Sequence, residues 1–428
     1  MKIALAHDSF TQLGGAERVV DALHELFPDA PVFTLVFDPK FKAKYKNWDI
    51  RTSGLQTLYL SLGKLQYLLP LIPWGVDNLD FKGFDLVISS SSGFVKNIWV
   101  PKNCVHVNYC HTPTRFLWSD PLYVKQEVPL LIRPLVRLLL RHMKKWDYKS
   151  SQRVTKFIAN SKEVQARIKK YYGRDSDIIY PFIDTDFWHP TPIPVIARSA
   201  EGEAIPSSRR HSEPRVHPRG EESLYYEDEI LRSDALSQND AMERGYFLLA
   251  GRLQAHKQNE LIIEIFNEIG LPLHVVGTGR REEYLRSIAK PNIKFFGFLS
   301  NERLREEYSN AKGFIFPQLE DFGLMPLEAA ACGTATLALG QGGALETIIP
   351  GVTGEFFGQD VAAATGRHNQ EMEAGGLRYK PQIKSLLLSW NPQKYKADDL
   401  RQQAEKFSKE KFKQQILELV NKKYEKGS

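Results

Sequence analysis

Two glutamates eight residues apart, Glu320 and Glu328, lie in Phe316-Pro-Gln-Leu-Glu-Asp-Phe-Gly-Leu-Met-Pro-Leu-Glu-Ala-Ala-Ala-Cys-Gly333. There an apolar strand pattern gives way to a Gly-containing loop and then to a helix starting near Leu324 or Met325. Glu320 falls at the loop tip and Glu328 on the first turns of the helix. Carboxylates accept hydrogen bonds from sugar hydroxyls, and the free N–H groups of a helix start favour an anion, so polyol and phosphate can be read side by side. In Leu249-Ala-Gly-Arg-Leu-Gln-Ala-His-Lys257 a strand ends in a glycine and a basic pair, Arg252 and Lys257, follows. Two cations fixed over a nucleoside diphosphate stabilise it most as it departs and gains charge, each through charge-assisted hydrogen bonds of about 1.5 to 3 kcal/mol. Asp8-Ser-Phe-Thr-Gln-Leu-Gly-Gly-Ala-Glu-Arg-Val19 reads as a strand, a Gly-Gly turn and a helix start. Gly14 and Gly15 would permit close backbone approach and positive φ, which makes the turn a candidate phosphate loop. Tyr109-Cys-His-Thr-Pro-Thr-Arg-Phe116 ends another strand and offers His111 and Arg115. Each has an ordinary reading too: solvated charges, a common strand-to-helix turn, a structural histidine.

The elements that must position these residues alternate. Short apolar or β-branched runs at Ile3–Ala6, Val32–Phe37, Leu86–Ser89, Val105–Tyr109, Phe157–Ala159 and Ile178–Tyr180 are separated by helical patterns. That grammar predicts right-handed βαβ units and a parallel sheet covered on both faces. It restarts at Gly245, with strands expected at Tyr246–Ala250, Leu273–Val276, Ile293–Phe296, Gly313–Phe316 and Thr334–Ala338. The expected fold class is therefore α/β, with two tandem Rossmann-like, doubly wound domains facing across a cleft. Ligands of open α/β sheets bind at the carboxyl ends of the strands, which makes the cleft the default site. The expected division is 1–188 for the first, acceptor-side domain, 245–390 for the second, nucleotide-sugar-binding domain, and 391–428 for a closing helix. Between the domains, 197–244 is rich in Arg, Glu, Ser and Pro and reads as a disordered insertion or linker. Periodicity also fails around 360–377.

A length of 428 residues suits two domains of about 150 to 200 residues each, and 42% hydrophobic content suits large cores. The 57 basic and 51 acidic residues leave a net charge of +6, too modest to imply nucleic acid. Three cysteines without a C-x-x-C spacing give neither a disulfide framework nor a zinc knuckle, and suggest a reducing compartment. Asp8 cuts short the N-terminal apolar run, so no signal peptide is expected, and charges and prolines interrupt every longer apolar stretch. Residues 132–146 combine an apolar face with Arg133, Arg137, Arg141, Lys144 and Lys145, a pattern that suits either an anionic membrane surface or packing on its own domain. The expected location is cytoplasmic, and the first of these two readings of 132–146 would add peripheral contact on the inner face of the membrane. Asp184-Thr185-Asp186 spells a metal-binding Asp-x-Asp but sits at the domain exit, so no metal is expected. Gly277-Thr-Gly279 lacks the third glycine of a dinucleotide fingerprint.

With Glu320, Phe322, Gly323, Glu328, Ala329, Cys332 and Gly333 in place, the sequence resembles the GT-B glycosyltransferases, specifically family 4 of retaining enzymes. The resemblance implies that Glu320 contacts the donor sugar and Glu328 the ribose, with Phe322, Gly323 and Leu324 beside them. It places Arg252 and Lys257 on the diphosphate, the Gly14-Gly15 turn against the phosphates and acceptor, and His111 near the donor sugar. Tyr180-Pro181 and Asn160-Ser161 match positions that close the first domain, and Gly342-Gly343-Ala344-Leu345-Glu346 matches a turn in which Glu346 is structural. The activity so implied is metal-independent transfer of a sugar, a hexosyl group, from a nucleotide-diphosphate sugar to a hydroxyl of a polysaccharide or lipid-linked glycan. Configuration is retained, and no cofactor is needed beyond the sugar nucleotide as co-substrate. Two rivals remain at this stage: a nucleotide-sugar epimerase on the same fold, and a non-catalytic sugar-binding protein.

Overall fold

The computed structural model describes residues 1–119, 130–191, 245–359 and 372–424. The 197–244 insertion and residues 360–371 lie outside the described residues. Seven strands form the first sheet: β1 (Ile3–Phe10), β2 (Val32–Phe37), β3 (Ile50–Thr52), β4 (Leu86–Ser91), β5 (Val105–Cys110), β6 (Lys156–Ala159) and β7 (Ser176–Ile178). They are ordered β3-β2-β1-β4-β5-β6-β7, and every pairing is parallel. The second sheet holds β8 (Phe247–Ala250), β9 (Leu273–Val276), β10 (Ile293–Gly297), β11 (Gly313–Phe316), β12 (Thr336–Leu339) and β13 (Gly354–Phe357), ordered β10-β9-β8-β11-β12-β13 and again parallel. Strands covered by helices on both faces read as continuous apolar runs, and β8, β11 and β12 are buried along their whole length.

The strands that differ from expectation lie toward the sheet edges. β3 and β13 were not anticipated, because Ile-Arg-Thr and Gly-Glu-Phe-Phe lack an apolar run. β7 ends at Ile178, short of the expected Ile178–Tyr180, because Tyr180 leaves the sheet and stacks on Phe322 of the second domain, with centroids 5.4 Å apart. β12 lies two residues later at its start than expected, since Thr334 turns to donate its hydroxyl to the Tyr308 carbonyl.

The helices that matter for the site are α1 (Gly15–Leu26), α2 (Arg133–Ser151), α3 (Lys162–Tyr172), α4 (Asn259–Ile269), α5 (Asn301–Asn310), α6 (Leu324–Ala331), α7 (Met372–Leu388), α8 (Ala397–Glu405) and α9 (Lys409–Tyr424). The single closing helix expected within 391–428 is thus two, α8 and α9, because the chain changes domains between them. Leu400 and Ala404 of α8 join the core of the second domain with Leu327 and Ala331 of α6. Phe412, Ile416 and Val420 of α9 join the first domain's core with Leu5, Val19 and Tyr109. At the crossing Phe407 packs on both Tyr180 and Phe322, and its carbonyl accepts from the Ile183 amide at 2.9 Å. Lys409 and Lys413 then pair with Glu25 of α1.

A buried ion pair ties the first domain together beneath the cleft. Lys96 and Asp147 are both fully buried, with Nζ 2.7 Å from Oδ1. Asp147 also accepts from Asn97 Nδ2, Trp118 Nε1 and Tyr172 OH, while Lys96 reaches Thr114 Oγ1 at 3.1 Å. The network joins α2, α3 and the His111–Arg115 loop. Asp147→Ala would strand an ammonium and three further donors in the interior, and the expected loss is about 3 to 5 kcal/mol in urea unfolding. Asp147→Asn, which keeps an acceptor, is expected to lose less.

Candidate functional site

In each sheet the strand order reverses beside its first strand, between β1 and β4 and between β8 and β11, and a crevice opens there past the carboxyl ends. The chemistry-bearing loops leave from these strands and from β5. β8 leads to Gly251-Arg252 and on to Lys257, β11 to Glu320-Asp321, β1 to Gly14-Gly15, and β5 to His111.

Lys257 ends a short turn at Ala255–Lys257 and is 7% exposed, its ammonium paired with the Glu320 carboxylate. Gln258, next in sequence and at the start of α4, is the one non-glycine residue with positive φ among the described residues, at 54°. Such a conformation persists only where surroundings enforce it, and here it fixes the Lys257 backbone. Asn259 follows, 5% exposed, with its amide nitrogen lacking a hydrogen-bond partner among the described residues. Arg252 is exposed on the preceding loop and has no ion pair among the described residues. The Gly277-Thr-Gly279 segment acts as the support of that loop. A Cβ on Gly277 would lie 2.0 Å from the Gly251 carbonyl oxygen, and one on Gly279 2.2 Å from that of Leu253, so only glycines let the two backbones meet.

The Glu320 loop is braced in the same way. Gly343 donates its N–H to the Glu320 carbonyl at 2.9 Å, and a Cβ there would meet the Phe322 backbone at 2.1 Å. The Phe322 ring is turned into the inter-domain core against Tyr180 and Phe407, so its side chain sets the loop rather than lining the crevice. Gly323, with φ of 90°, then starts α6 at Leu324, where the sequence pattern expected the helix.

First-domain cations meet this loop and helix across the crevice. Arg18 of α1 donates to Glu328 at 2.9 Å, and Glu328 is 4% exposed. Arg115 and Arg167 both grip Asp321, at 2.6 and 2.5 Å. Glu346 accepts from the Lys162 amide at the start of α3. Gly15 lies against Leu324, since a Cβ on it would stand 3.4 Å from Leu324 Cδ1. The positive φ expected of Gly14 and Gly15 is not found: Gly14 is extended at −157°, and neither is in the left-handed region.

His111 directly follows β5 and shares a hydrogen bond of 2.8 Å with Ser90 Oγ. Burial first, and the neighbouring charge of His7 second, push its imidazole down to about 4. His7 in turn meets Glu17 at 3.4 Å. Burial pushes the Glu17 carboxyl up, but the hydrogen bond and charge of His7 outweigh it and leave it below its ordinary value. Asp8 accepts four backbone N–H groups, from Ser92, Gly93, Phe94 and Val95 at 2.7 to 2.8 Å, which fixes the β4 loop beside this cluster. In Asp184-Thr185-Asp186, Asp184 caps the Phe187 amide. Among the described residues no group of three His, Cys, Asp or Glu side chains is arranged to hold a metal ion.

The structure therefore pairs Lys257 with Glu320 inside the second domain and, across the crevice, Arg18 with Glu328 and Gly15 with Leu324. Sequence reasoning missed Arg18, Arg167, Asp321, Glu17 and Asn259. Arg18, Glu17 and Asp321 sit inside quoted motifs, whereas Arg167 is an ordinary member of an i,i+4 pair with Glu163 and carries no signal.

Residues 13–187 match the family described as Glycosyltransferase Family 4, and 234–377 match Glycosyl transferases group 1, about three quarters of the chain together. An uncharacterized glycosyltransferase of Methanocaldococcus jannaschii is 28% identical over 144 residues, 31% of this chain and 36% of that protein. A GDP-mannose-dependent phosphatidylinositol monomannoside mannosyltransferase of Corynebacterium glutamicum is 35% identical over 100 residues, 21% of this chain and 26% of that protein. The matched stretch thus spans about a third or less of these relatives. Among solved structures, sucrose-phosphate synthase of Thermosynechococcus elongatus superposes with a TM-score of 0.64 at 16% identity, covering 99% of both chains. HepE of Anabaena, solved in complex with UDP, gives 0.60 at 16% identity, covering 99% of this chain and 100% of that one. With two facing parallel sheets and a family match in each half, this chain belongs to the group 1 glycosyltransferases of GT-B fold.

Proposed function

We propose that this protein transfers a hexosyl group from a nucleoside-diphosphate sugar to an acceptor hydroxyl with retained configuration and without a metal ion. The observation that carries the reading is the Lys257–Glu320 pair on the loops at the switch point of the second sheet, with the helix that carries Glu328 starting at Leu324 against the Gly14-Gly15 turn. In this reading Glu328 takes the ribose hydroxyls, Glu320 and the His111 imidazole orient the sugar, and Arg252 and Lys257 lie over the diphosphate. The bond from the anomeric carbon to the phosphate oxygen breaks as the acceptor oxygen bonds to that carbon on the same face. The acceptor proton passes to the departing phosphate oxygen, so no side chain need act as base. The cations stabilise the charge that builds on the diphosphate, and closure of the crevice limits hydrolysis.

The acceptor we infer is a polysaccharide or lipid-linked glycan at the cytoplasmic face of a membrane. Leu130, Leu131, Ile132, Leu135 and Leu138 stand exposed beside Arg137, Arg141, Lys144 and Lys145 of α2, apolar contacts and positive charge suited to an anionic lipid surface. No helix among the described residues is long and apolar enough to cross a membrane.

Three outcomes are expected. In a thermal-shift screen, UDP, GDP or ADP sugars should stabilise the protein by mass action, Glu328→Ala should weaken nucleotide binding about tenfold or more, and Lys257→Ala should slow transfer about 100-fold. Stabilisation by no donor, or unchanged nucleotide affinity in Glu328→Ala, would overturn the assignment. In sedimentation with vesicles, the protein should bind phosphatidylglycerol-containing membranes and not purely zwitterionic ones, and Leu135→Ser with Leu138→Ser should abolish binding.

The third concerns pH. His111 at about 4 and His106, which burial first and Arg153 second push down to about 3, both lie below the ordinary 6.5. The unfolded chain therefore takes up protons that the native one does not, so their contribution to stability is complete above about pH 6.5 and falls as pH falls towards 4. The melting temperature should drop between about pH 7 and pH 4.5, with a shallower slope in His106→Gln. Transfer should show no His111 inflection between about pH 6 and pH 8.

A further inference from the structure

Each acidic group of the Glu320–Glu328 stretch has a basic partner: Glu320 has Lys257 of its own domain, Asp321 has Arg115 and Arg167, and Glu328 has Arg18. The last pair differs from the others, because its carboxylate is the one the proposed function gives to the ribose. Its partners are also unequal. The Glu328 side chain is 6% exposed and fixed on α6, whereas that of Arg18 is 42% exposed on α1 and can swing without unpacking anything. Arg18 stands one helical turn beyond the Gly14-Gly15 turn, with its amide bonded to the Gly14 carbonyl at 3.1 Å. Gly15 in turn lies against Leu324, at the start of the helix that carries Glu328. An arginine side chain rooted there reaches both the carboxylate and the space over the glycine turn. Its guanidinium fork matches a phosphate in two parallel hydrogen bonds.

Resting on the nucleotide-sugar reading, we propose that Arg18 is a donor-recognition residue supplied by the first domain, which exchanges Glu328 for the diphosphate when the ribose occupies that carboxylate. Binding then replaces one inter-domain ion pair by another. The first domain is drawn onto the phosphates, while the Asp321 pair with Arg115 and Arg167, which uses no group assigned to the donor, stays in place as the pivot. Arg18 is in this scheme both a competitor of the ribose and a ligand of the phosphates, and the two roles separate with the right probes.

The experiment compares nucleosides with their diphosphates, uridine with UDP and guanosine with GDP, by titration against the full chain. For the better-bound base, the advantage of diphosphate over nucleoside should shrink by about tenfold or more in Arg18→Gln, because the nucleoside loses a competitor and the diphosphate loses a cation. Arg18→Lys should retain most of the advantage. Arg18→Met, which keeps the aliphatic stem, gives a second neutral variant, and unliganded melting temperatures show that each is folded. A purely structural arginine would lower both affinities together and leave their ratio at the wild-type value, and that result overturns the inference alone. Failure of the wild-type chain to bind any diphosphate overturns the nucleotide-sugar reading and this inference with it.

Discussion

Three carboxylates on one short loop-helix stretch, set among cations from both halves of the chain, are what the two domains are arranged around. Glu328 and Asp321 are nearly inaccessible to water, at 4% and 8% exposure, and a carboxylate withdrawn from water needs a counter-charge. Their partners Arg18, Arg115 and Arg167 come from the first domain, so the facing of the domains and the charge state of the site are one problem. Lys257 answers Glu320 from within the second domain.

The sheets make the arrangement reproducible. Both reverse strand order beside their first strand, and in the second domain close backbone contacts help to hold the loops that leave there. Gly277 and Gly279 support the Arg252 loop, and Gly343 supports Glu320. Main chain against main chain has no rotamers to fluctuate, which places the cation and carboxylate loops firmly while leaving their side chains free to change partners.

The fold was legible wherever burial is two-sided. Val32–Phe37, Leu273–Val276 and Gly313–Phe316 follow from their apolar runs to the residue, whereas the edge strands β3 and β13 carry no such run. Tyr180 shows a different limit: its pattern is that of a strand, but a stacking partner in the other domain takes it out of the sheet. At the site, Glu320, Glu328, Arg252, Lys257 and His111 were legible through local motifs, and the positions of the first three loops follow from strand ends. Their partners were not. Arg18 and Glu328 are 310 residues apart and Arg167 and Asp321 are 154 apart, and pairings at such separations leave no periodic trace. The Phe322 ring differs from expectation because Tyr180 of the opposite domain and Phe407 fill the space a local reading assigns to ligand.

The return of α9 to the first domain has its own consequence for biogenesis. Phe412, Ile416 and Val420 complete the apolar interior around Leu5, Val19 and Tyr109, so a ribosome delivers the last pieces of that interior only after the whole second domain has been made. The nascent first half emerges with an uncovered seam and cannot finish folding as an independent unit. Its assembly ends when the tail docks, and that final step couples the two domains into one cooperative body.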